Sequence, residues 1–312
     1  MPDSDRFPNA GPLFLPEERV RQLLDYNDLL PALEQALIDF SAGRVMQPLR
    51  SIVPVDAHAG WFALMPAVYK DVFGAKLVTV FPKNAARGLH THLAAIHLFR
   101  AESGEPLAIM DGRFITAWRT AAVSALAARE LSDPNARVLA VLGSGVQAHT
   151  HFEALRRQRP FQQVRVWSRS PEHARRFAGE IGATAMAAEQ AVRGADVIVT
   201  ATNASQPIVR AEWVKPGAYV NAVGSVGLQA RELDDRLMQS AAVIVESRES
   251  ARHESAEIVQ SGAPIYAELG ELLGGSVTKP APGTTVVFKS LGIAVEDIAA
   301  ARLVYRAALR EE

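Results

Sequence analysis

A glycine-rich turn between an apolar run and a helix-forming segment has the clearest chemistry in this sequence. Residues 137–142 lead directly into Gly143-Ser-Gly145-Val-Gln-Ala148, with the spacing Gly-x-Gly-x-x-Ala. In a strand–turn–helix unit the first glycine permits the turn, the second lets a pyrophosphate approach the backbone, and the small third residue allows close packing. The N–H groups and the positive end of the helix dipole then hold the anion. The sequence therefore predicts a dinucleotide-binding turn, with contacts from Gly143, Ser144, Gly145, Val146 and Gln147.

The residues after the second strand of this unit indicate which dinucleotide binds. In NAD-binding units this strand ends near an acidic residue that hydrogen-bonds the adenosine ribose. Here the segment ends in Ser168-Arg169-Ser170, which contains no carboxylate. A guanidinium and two hydroxyls suit a 2′-phosphate, which a carboxylate would repel. We therefore expect NADPH, with NADH less favoured; the alternative is that Arg169 is a solvated loop charge.

Two further strand ends place polar or small residues at the same edge of the predicted sheet. The third strand leads into Thr202 and Asn203, and the fourth leads into Val223 and Gly224. Ligands of open α/β sheets bind at the carboxyl ends of the strands. We expect these four residues near the nicotinamide, while ordinary loop chemistry would give a similar pattern.

The elements that position these residues follow from hydrophobic periodicity. Residues 115–131 predict a helix, after which strands at 137–142, 164–167, 197–201, 218–223 and 242–245 alternate with helices at 146–157, 172–180 and 187–192. This alternation predicts an α/β fold with a Rossmann-type, doubly wound parallel sheet. Apolar runs at 51–55, 60–65, 76–81, 94–99 and 106–110 predict a strand-rich α+β domain before it. Residues 1–12 are expected to form a loose arm, 17–40 two helices separated near Pro31, and 284–288 and 295–309 a last strand and helix.

Composition excludes several functional classes. The 312 residues suffice for one large or two ordinary domains, and a net charge of −1 gives no support for a nucleic-acid or membrane-surface partner. The chain has no cysteine, so disulfides, thiol nucleophiles and cysteine-bound metals are excluded, and we expect no metal site. The first residues do not resemble a secretion signal, and no apolar run approaches the roughly 20 residues that span a bilayer. We expect a cytoplasmic protein.

Five further segments carry a family resemblance. They are Val45-Met-Gln-Pro-Leu-Arg50, Ala75-Lys76-Leu-Val, Met110-Asp-Gly-Arg-Phe-Ile-Thr-Ala-Trp-Arg119-Thr-Ala-Ala, Phe288-Lys-Ser290-Leu-Gly and Val295-Glu-Asp. Together with the glycine turn, they resemble the ornithine cyclodeaminase/mu-crystallin family, on its mu-crystallin (ketimine reductase) side, from about residue 13 to 309. The resemblance implies a homodimer. It also implies a substrate-binding and dimerisation domain of residues 1–120 and 285–312, and a dinucleotide-binding domain of residues 121–284.

The resemblance also implies catalytic roles. Arg50 would grip a substrate carboxylate with its planar fork, and Lys76 would lie beside the reacting carbon, where it could protonate an imine. His92 is a second candidate proton donor. The alternatives are an inter-strand ion pair for Arg50, a solvated strand position for Lys76 and a structural role for His92.

Further residues are implied at the junction of the two domains. Arg119 would reach substrate or cofactor, although it could be a plain charge on a helix surface. Thr91 and Ser290 would lie beside the nicotinamide, and Leu291 would line the substrate pocket. Glu254 lies where some family members touch ligand, but could equally belong to a solvated helix face.

Two departures from the family pattern bear on the reaction. Ornithine cyclodeaminases have an aspartate where this chain has Val226, and a carboxylate where it has Ala63. Without an anion the pocket has nothing to orient or deprotonate an ornithine ammonium, and leaving that cation buried and unpaired would be costly. Cyclodeamination is therefore not expected as the main activity.

The expected reaction is hydride transfer from NADPH to the C=N carbon of a cyclic ketimine carboxylate. Δ1-Pyrroline-2-carboxylate and Δ1-piperideine-2-carboxylate are the candidate substrates, and their apolar rings would suit Trp61, Met65 and Leu291. One alternative is an amino acid dehydrogenase of the alanine type. Another is an NADPH-dependent binding protein for a ligand similar to thyroid hormone, with the same fold and no turnover.

Overall fold

The computed structural model describes residues 11–224 and 227–311 of the chain. Its strands are β1 (Leu13–Leu15), β2 (Ser51–Val55), β3 (Gly60–Tyr69), β4 (Val72–Val80), β5 (His92–Arg100), β6 (Pro106–Asp111), β7 (Val138–Leu142), β8 (Gln163–Trp167), β9 (Thr184–Ala185), β10 (Val197–Thr200), β11 (Tyr219–Ala222), β12 (Ala242–Val245), β13 (Ile265–Glu268) and β14 (Val286–Lys289). Its α-helices are α1 (Glu17–Leu23), α2 (Tyr26–Ser41), α3 (Arg113–Leu131), α4 (Val146–Gln158), α5 (Pro171–Ile181), α6 (Ala188–Val192), α7 (Asp235–Ser240), α8 (Arg248–Glu254), α9 (Ala256–Ser261), α10 (Leu269–Leu273) and α11 (Ala294–Leu309).

The first sheet has six strands in the order β1-β6-β5-β4-β3-β2, with β1 parallel to β6 and the other pairs antiparallel. Helix α11 packs against β3, β4 and β5. Because side chains alternate along a strand, β4 buries every second residue on the face toward this helix. Lys76 belongs to that inward set, and its ammonium is thereby placed beneath α11.

The second sheet has eight parallel strands in the order β13-β12-β14-β11-β10-β7-β8-β9. Its central strands are buried along their whole length, as expected when helices cover both faces. The predicted doubly wound parallel sheet and strand-rich first region are therefore confirmed. The glycine turn connects β7 to α4 at the carboxyl edge of this sheet.

The predicted division of the chain differs from the structure in two places. Strand β14 falls within the predicted first domain, 285–312, but it lies in the second sheet, between β11 and β12. All four of its residues are buried, because a central parallel strand is covered on both faces. The predicted boundary at residue 120 falls inside the continuous helix α3, which packs against both α2 and α4.

The predicted helix break near Pro31 is wrong. Helix α2 continues through Pro31, and the break lies at Leu24 and Asp25. Asp25 caps α2 by accepting a hydrogen bond from the N–H of Asn27 at 2.7 Å. Burial of the apolar face of α2 compensates for the one backbone hydrogen bond that proline cannot make.

None of the helices in the described ranges has the length and apolar character that crossing a membrane requires.

Candidate active site

The glycine turn has the geometry of an anion site. Gly143 has φ of +137°, and its N–H donates to the Trp167 carbonyl at 2.8 Å. A side chain on Gly143 would collide with the Ala201 carbonyl, so glycine is required there. A Cβ on Gly145 would meet nothing within 4 Å. The N-terminus of α4 is therefore open to a pyrophosphate, and the turn fits the nucleotide predicted from the sequence.

The end of β8 provides a free cation next to this turn. Ser168 and Ser144 form a hydrogen bond between their hydroxyls, with the two Oγ atoms 2.9 Å apart. Arg169 is exposed and forms no ion pair with any residue in the described ranges. Ser170 has a structural role as the N-cap of α5, where its Oγ accepts from the N–H of His173 at 3.3 Å. Of these three predicted cofactor residues, Arg169 is the one for which residues 11–224 and 227–311 provide no ion-pair or side-chain hydrogen-bond partner.

A cleft of about 360 Å³ separates the glycine turn from the first sheet. Its walls include these predicted site residues: Thr91, His92, Gly145, Val146, Gln147 and Asn203. Two atoms in the cleft residues, Gln147 Oε1 and Thr116 Oγ1, are buried and have no hydrogen-bond partner among the described residues. Unpaired buried polar atoms are rare, and these two are available to a polar ligand.

His92 lies at the start of β5, where its Nδ1 is 3.2 Å from the Thr91 hydroxyl. Desolvation of the ring and repulsion from Lys76 lower the pKa of His92. A histidine with a lowered pKa is mostly neutral at neutral pH, so a smaller fraction of it carries a proton to donate.

A buried cluster of two cations and two acids joins β4, α3 and α11. Lys76 Nζ lies 2.8 Å from Asp297 Oδ2, while Arg119 pairs with Asp297 at 3.0 Å and with Glu296 at 2.7 Å. The side chains of Lys76 and Arg119 are 2% and 5% exposed, and both acids are fully buried. Arg119 is therefore not a surface charge on its helix. Gly292 lies against its guanidinium, where a Cβ would collide.

The four charges of this cluster shift one another's proton affinities. Burial lowers the pKa of Lys76 to about 8, reinforced by Arg119 and Arg50 and opposed by Asp297. Burial raises the pKa of Glu296 to about 8, although Arg119 opposes the shift. Burial also acts to raise the pKa of Asp297, but Arg119 and Lys76 outweigh it and hold that pKa below its usual range. Lys76 is thus a cation that can release its proton near neutral pH.

Arg50 precedes β2 and makes three polar contacts. Its Nε lies 2.9 Å from Glu254 Oε2, and its Nη2 donates to the carbonyls of Leu291 and Gly292 at 3.2 and 2.7 Å. The thioether of Met65 lies 3.9 Å from Nη1. The Arg50 side chain is 10% exposed, so the guanidinium is largely shielded from solvent. The predicted inter-strand ion pair is not formed, since Glu254 belongs to α8.

The loop after β14 is held by a buried acid that the sequence did not indicate. Glu246 accepts from the Ser290 hydroxyl at 2.6 Å and from the N–H groups of Leu291 and Gly292 at 3.0 and 3.2 Å. Ser290 is 1% exposed, and its hydroxyl points to Glu246. The predicted contact of Ser290 with the nicotinamide therefore does not use its hydroxyl proton in this arrangement.

A second buried acid fixes the ends of β10 and β11. Glu232 accepts from the hydroxyls of Thr200 and Thr202, each at 2.7 Å, and from the N–H groups of Thr202 and Gly224 at 2.7 and 2.8 Å. A Cβ on Gly224 would collide with Thr202 and Glu232, so this close approach requires glycine. Val223 is buried beside it. Val226, which bears on the expected loss of cyclodeamination, lies outside the described residues.

The buried acids are the site residues that sequence reasoning missed. Glu296 and Asp297 belong to the segment Val295-Glu-Asp that carries the family resemblance, and as two adjacent acids they open a helix otherwise rich in alanine, but no role was assigned to them from the sequence. Glu232 and Glu246 had no local signal, because isolated glutamates are ordinarily solvated.

The comparisons with known proteins find relatives that match nearly the whole length of this chain. The sequence model described as the ornithine cyclodeaminase/mu-crystallin family matches residues 11–312. Ketimine reductase mu-crystallin of Mus musculus is 47% identical over 305 residues, which cover 95% of this chain and 97% of that protein. The structure of Thermococcus litoralis Δ(1)-pyrroline-2-carboxylate reductase in complex with NADH and L-proline has a TM-score of 0.91 at 32% identity, covering 96% of this chain and 98% of the other. An archaeal alanine dehydrogenase dimer with bound NAD also has a TM-score of 0.91 at 32% identity, covering 96% and 97%.

Proposed function

Because the chain belongs to the ornithine cyclodeaminase/mu-crystallin family, we propose that it reduces a cyclic ketimine carboxylate to the cyclic amino acid with a reduced nicotinamide cofactor. The observation that carries this proposal is the electrostatic coupling of three cations, since the charges of Arg119 and Arg50 both act on the buried ammonium of Lys76. A reduced nicotinamide supplies a hydride when it is bound at the glycine turn. The cyclic ketimine carboxylate needs a cation to pair with its carboxylate and a donor to protonate its nitrogen. The three cations can fill these two roles.

Arg50 would hold the substrate carboxylate. A planar guanidinium suits a carboxylate because it can donate two parallel hydrogen bonds. The Met65 thioether lies against this guanidinium, and the Leu291 carbonyl accepts a hydrogen bond from it. The side chains of both residues would contact the methylene groups of the ring. A five- or six-membered cyclic imine fits this combination of one anion and an apolar ring. An ornithine side chain would bring a second cation, and the buried Ala63 offers it no partner.

Lys76 would give the proton that the imine nitrogen gains. Its pKa of about 8 leaves it mostly protonated at neutral pH and makes it a stronger acid than an unperturbed lysine. Asp297 orients the ammonium, and Arg119 keeps Asp297 ionised. His92 is less suited to this role because its lowered pKa leaves little of it protonated.

NADPH is the cofactor we propose, in preference to NADH. Support comes from Arg169, which is exposed two residues beyond the end of β8 and has no ion-pair partner among the residues that the structure describes. We also propose that the chain forms a homodimer through the uncovered face of the first sheet. A cytoplasmic location stays a prediction from the sequence.

The test is turnover with defined substrates. NADPH absorbance should fall when Δ1-pyrroline-2-carboxylate or Δ1-piperideine-2-carboxylate is added, and Arg50→Ala should raise KM by about 10- to 100-fold through loss of a charge-assisted contact. Pyruvate with ammonia would give faster NADPH loss if the alanine-type reaction were the main one. Tight binding of an iodinated thyronine without loss of NADPH in any of these assays would favour the binding role and overturn the proposal.

A further inference from the structure

The guanidinium expected to hold the substrate carboxylate already holds a protein carboxylate. Arg50 Nε and Glu254 Oε2 are 2.9 Å apart, and the two side chains are 10% and 12% exposed. The contact has the distance of an ion pair without hydrogen-bond geometry. Glu254 Oε2 is accordingly a buried atom with no hydrogen-bond partner among the described residues. The two groups are therefore close enough for an ion pair, but they are not aligned for a hydrogen bond.

The other contacts of Arg50 leave no free edge for a bidentate acid. Its Nη2 donates to the carbonyls of Leu291 and Gly292. Two parallel hydrogen bonds need two N–H groups on one edge of the guanidinium. The guanidinium has two such edges, one formed by Nε and Nη2 and the other by Nη1 and Nη2. Nη2 belongs to both edges, and Nε faces Glu254. Because the two carbonyls hold Nη2, a substrate carboxylate would bind at Nε, and it can do so only after Glu254 has moved.

Glu254 is the partner best placed to move. The carbonyls of Leu291 and Gly292 are fixed, because the N–H groups of the same two residues donate to the buried Glu246. Glu254 instead is the last residue of α8, and the contact is made by a side chain. Burial raises the pKa of Glu254, with Arg50 and His253 opposing and Glu246 reinforcing the shift. Its charged form is thus held in place mainly by Arg50.

We propose that Glu254 occupies the carboxylate subsite of Arg50 when no substrate is bound, and that the substrate binds by exchanging its own carboxylate for that of Glu254. This rests on the proposed function for the role of Arg50. A carboxylate that loses its counter-ion in a buried site is strongly destabilised unless a new cation arrives. An iminium or a ring ammonium next to the substrate carboxylate supplies that cation, whereas a plain acid does not. Glu254 therefore makes the site select zwitterionic ligands over simple carboxylates.

The experiment compares two ligands of the same ring size in the presence of NADP⁺. L-Proline carries a ring ammonium, and cyclopentanecarboxylate has carbon in place of that nitrogen. Calorimetric titration of wild-type protein should show L-proline binding much more tightly. Glu254→Gln should bind cyclopentanecarboxylate about tenfold more tightly and L-proline about tenfold more weakly, a change of roughly 100-fold in their ratio. Glu249→Gln, on the exposed side of the same helix, is the matched control and should leave both affinities unchanged.

Two outcomes would overturn the exchange. One is that Glu254→Gln, verified as folded by circular dichroism, leaves the ratio of the two affinities unaltered, or that wild-type protein fails to bind L-proline. The other is a crystal structure of the complex with NADP⁺ and L-proline in which Arg50 and Glu254 are still paired. Turnover of the cyclic imine is measured separately. If the protein reduces the imine while Arg50 and Glu254 stay paired, the proposed function holds and the proposed exchange is wrong.

Discussion

Lys76 is the residue whose protonation state should govern the proposed reaction. Its pKa is lowered to about 8, chiefly by burial. If its ammonium protonates the imine nitrogen, kcat/KM should be constant at lower pH and decline as pH rises through about 8. A guanidinium stays charged to far higher pH and is a poor acid. Lys76→Arg should therefore lower kcat by about 100-fold or more and move the alkaline limb upward. The pH profile of kcat/KM for both proteins tests this, and a limb that stays near the same pH in the variant would belong to another group.

Arg169 should determine the preference between the two nicotinamide cofactors. It is exposed at the end of β8 and lacks a partner among the described residues, so a 2′-phosphate would gain a charge-assisted contact there. Arg169→Asp should change the ratio of kcat/KM for NADPH and NADH by about 10- to 100-fold in favour of NADH. Arg175→Asp, on the exposed surface of α5, is the matched control. An unchanged ratio in Arg169→Asp would show that the cofactor preference resides elsewhere.

The role of a residue could be predicted from the sequence where it depends only on residues nearby in the chain. The glycine turn was predictable because Gly143, Gly145 and Ala148 act within one strand–turn–helix unit. The partners of the cations were not predictable. Arg119 and Asp297 are 178 residues apart, and no periodic pattern reports a contact over that separation. The pairing of Arg50 with Glu254 likewise depends on how α8 meets the segment before β2.

At the scale of elements, strand propensity gave the position of β14 along the chain but not its sheet. A short apolar run has the same pattern in either sheet, so its pairing with β11 and β12 becomes visible only in the fold. This placement matters for the site. The loop that follows β14 therefore starts from the second sheet. In this loop the Leu291 and Gly292 carbonyls contact Arg50, and the Ser290 hydroxyl contacts Glu246.

The helices α3 and α4 are joined by a buried histidine that should make stability depend on pH. His151 is fully buried, with Nδ1 2.7 Å from the Gln147 carbonyl and Nε2 2.9 Å from the Ser124 hydroxyl. A carbonyl can only accept, so Nδ1 donates and the neutral ring accepts from Ser124 at Nε2. Burial lowers the pKa of His151 to about 4, although the Gln147 carbonyl opposes the shift.

The folded pKa of His151 lies below the unfolded value, so the unfolded chain binds more protons between pH 4 and 6.5. The stability that this difference contributes is fully present above about pH 6.5 and is lost as pH falls toward 4, up to about 3 kcal/mol. Urea unfolding at several pH values should show this slope, and His151→Gln should reduce it. His173→Gln, at an exposed position, should retain the slope. Equal slopes in wild-type protein and His151→Gln would exclude His151 as the source.

At the scale of the whole molecule, the first sheet has one face packed on α11 and one face with no cover in the described chain. The strand register places outward-facing side chains of neighbouring strands side by side. Large apolar side chains on this face are exposed: Phe14 72%, Val53 54%, Leu64 37%, Val68 41% and Leu93 43%. An apolar face that extends across a whole sheet is unusual for a monomer and marks an association surface.

A second copy of the chain is the partner we propose for this face, because a two-fold axis lets the same apolar surface cover itself. The double variant Leu64→Glu and Val68→Glu should weaken dimerisation by about 100-fold or more, since the symmetry introduces each buried charge twice. Light scattering after size exclusion should then give twice the mass of the chain for wild-type protein and the mass of one chain for the variant. Val259→Glu, at an exposed apolar position on α9, should leave the dimer intact.

A wild-type chain that elutes as a monomer, or a double variant that stays dimeric, would contradict the assignment of this sheet face to the dimer interface. Arg50, Lys76 and Arg119 pair with acids of the same protomer, so loss of the dimer should not by itself break these ion pairs.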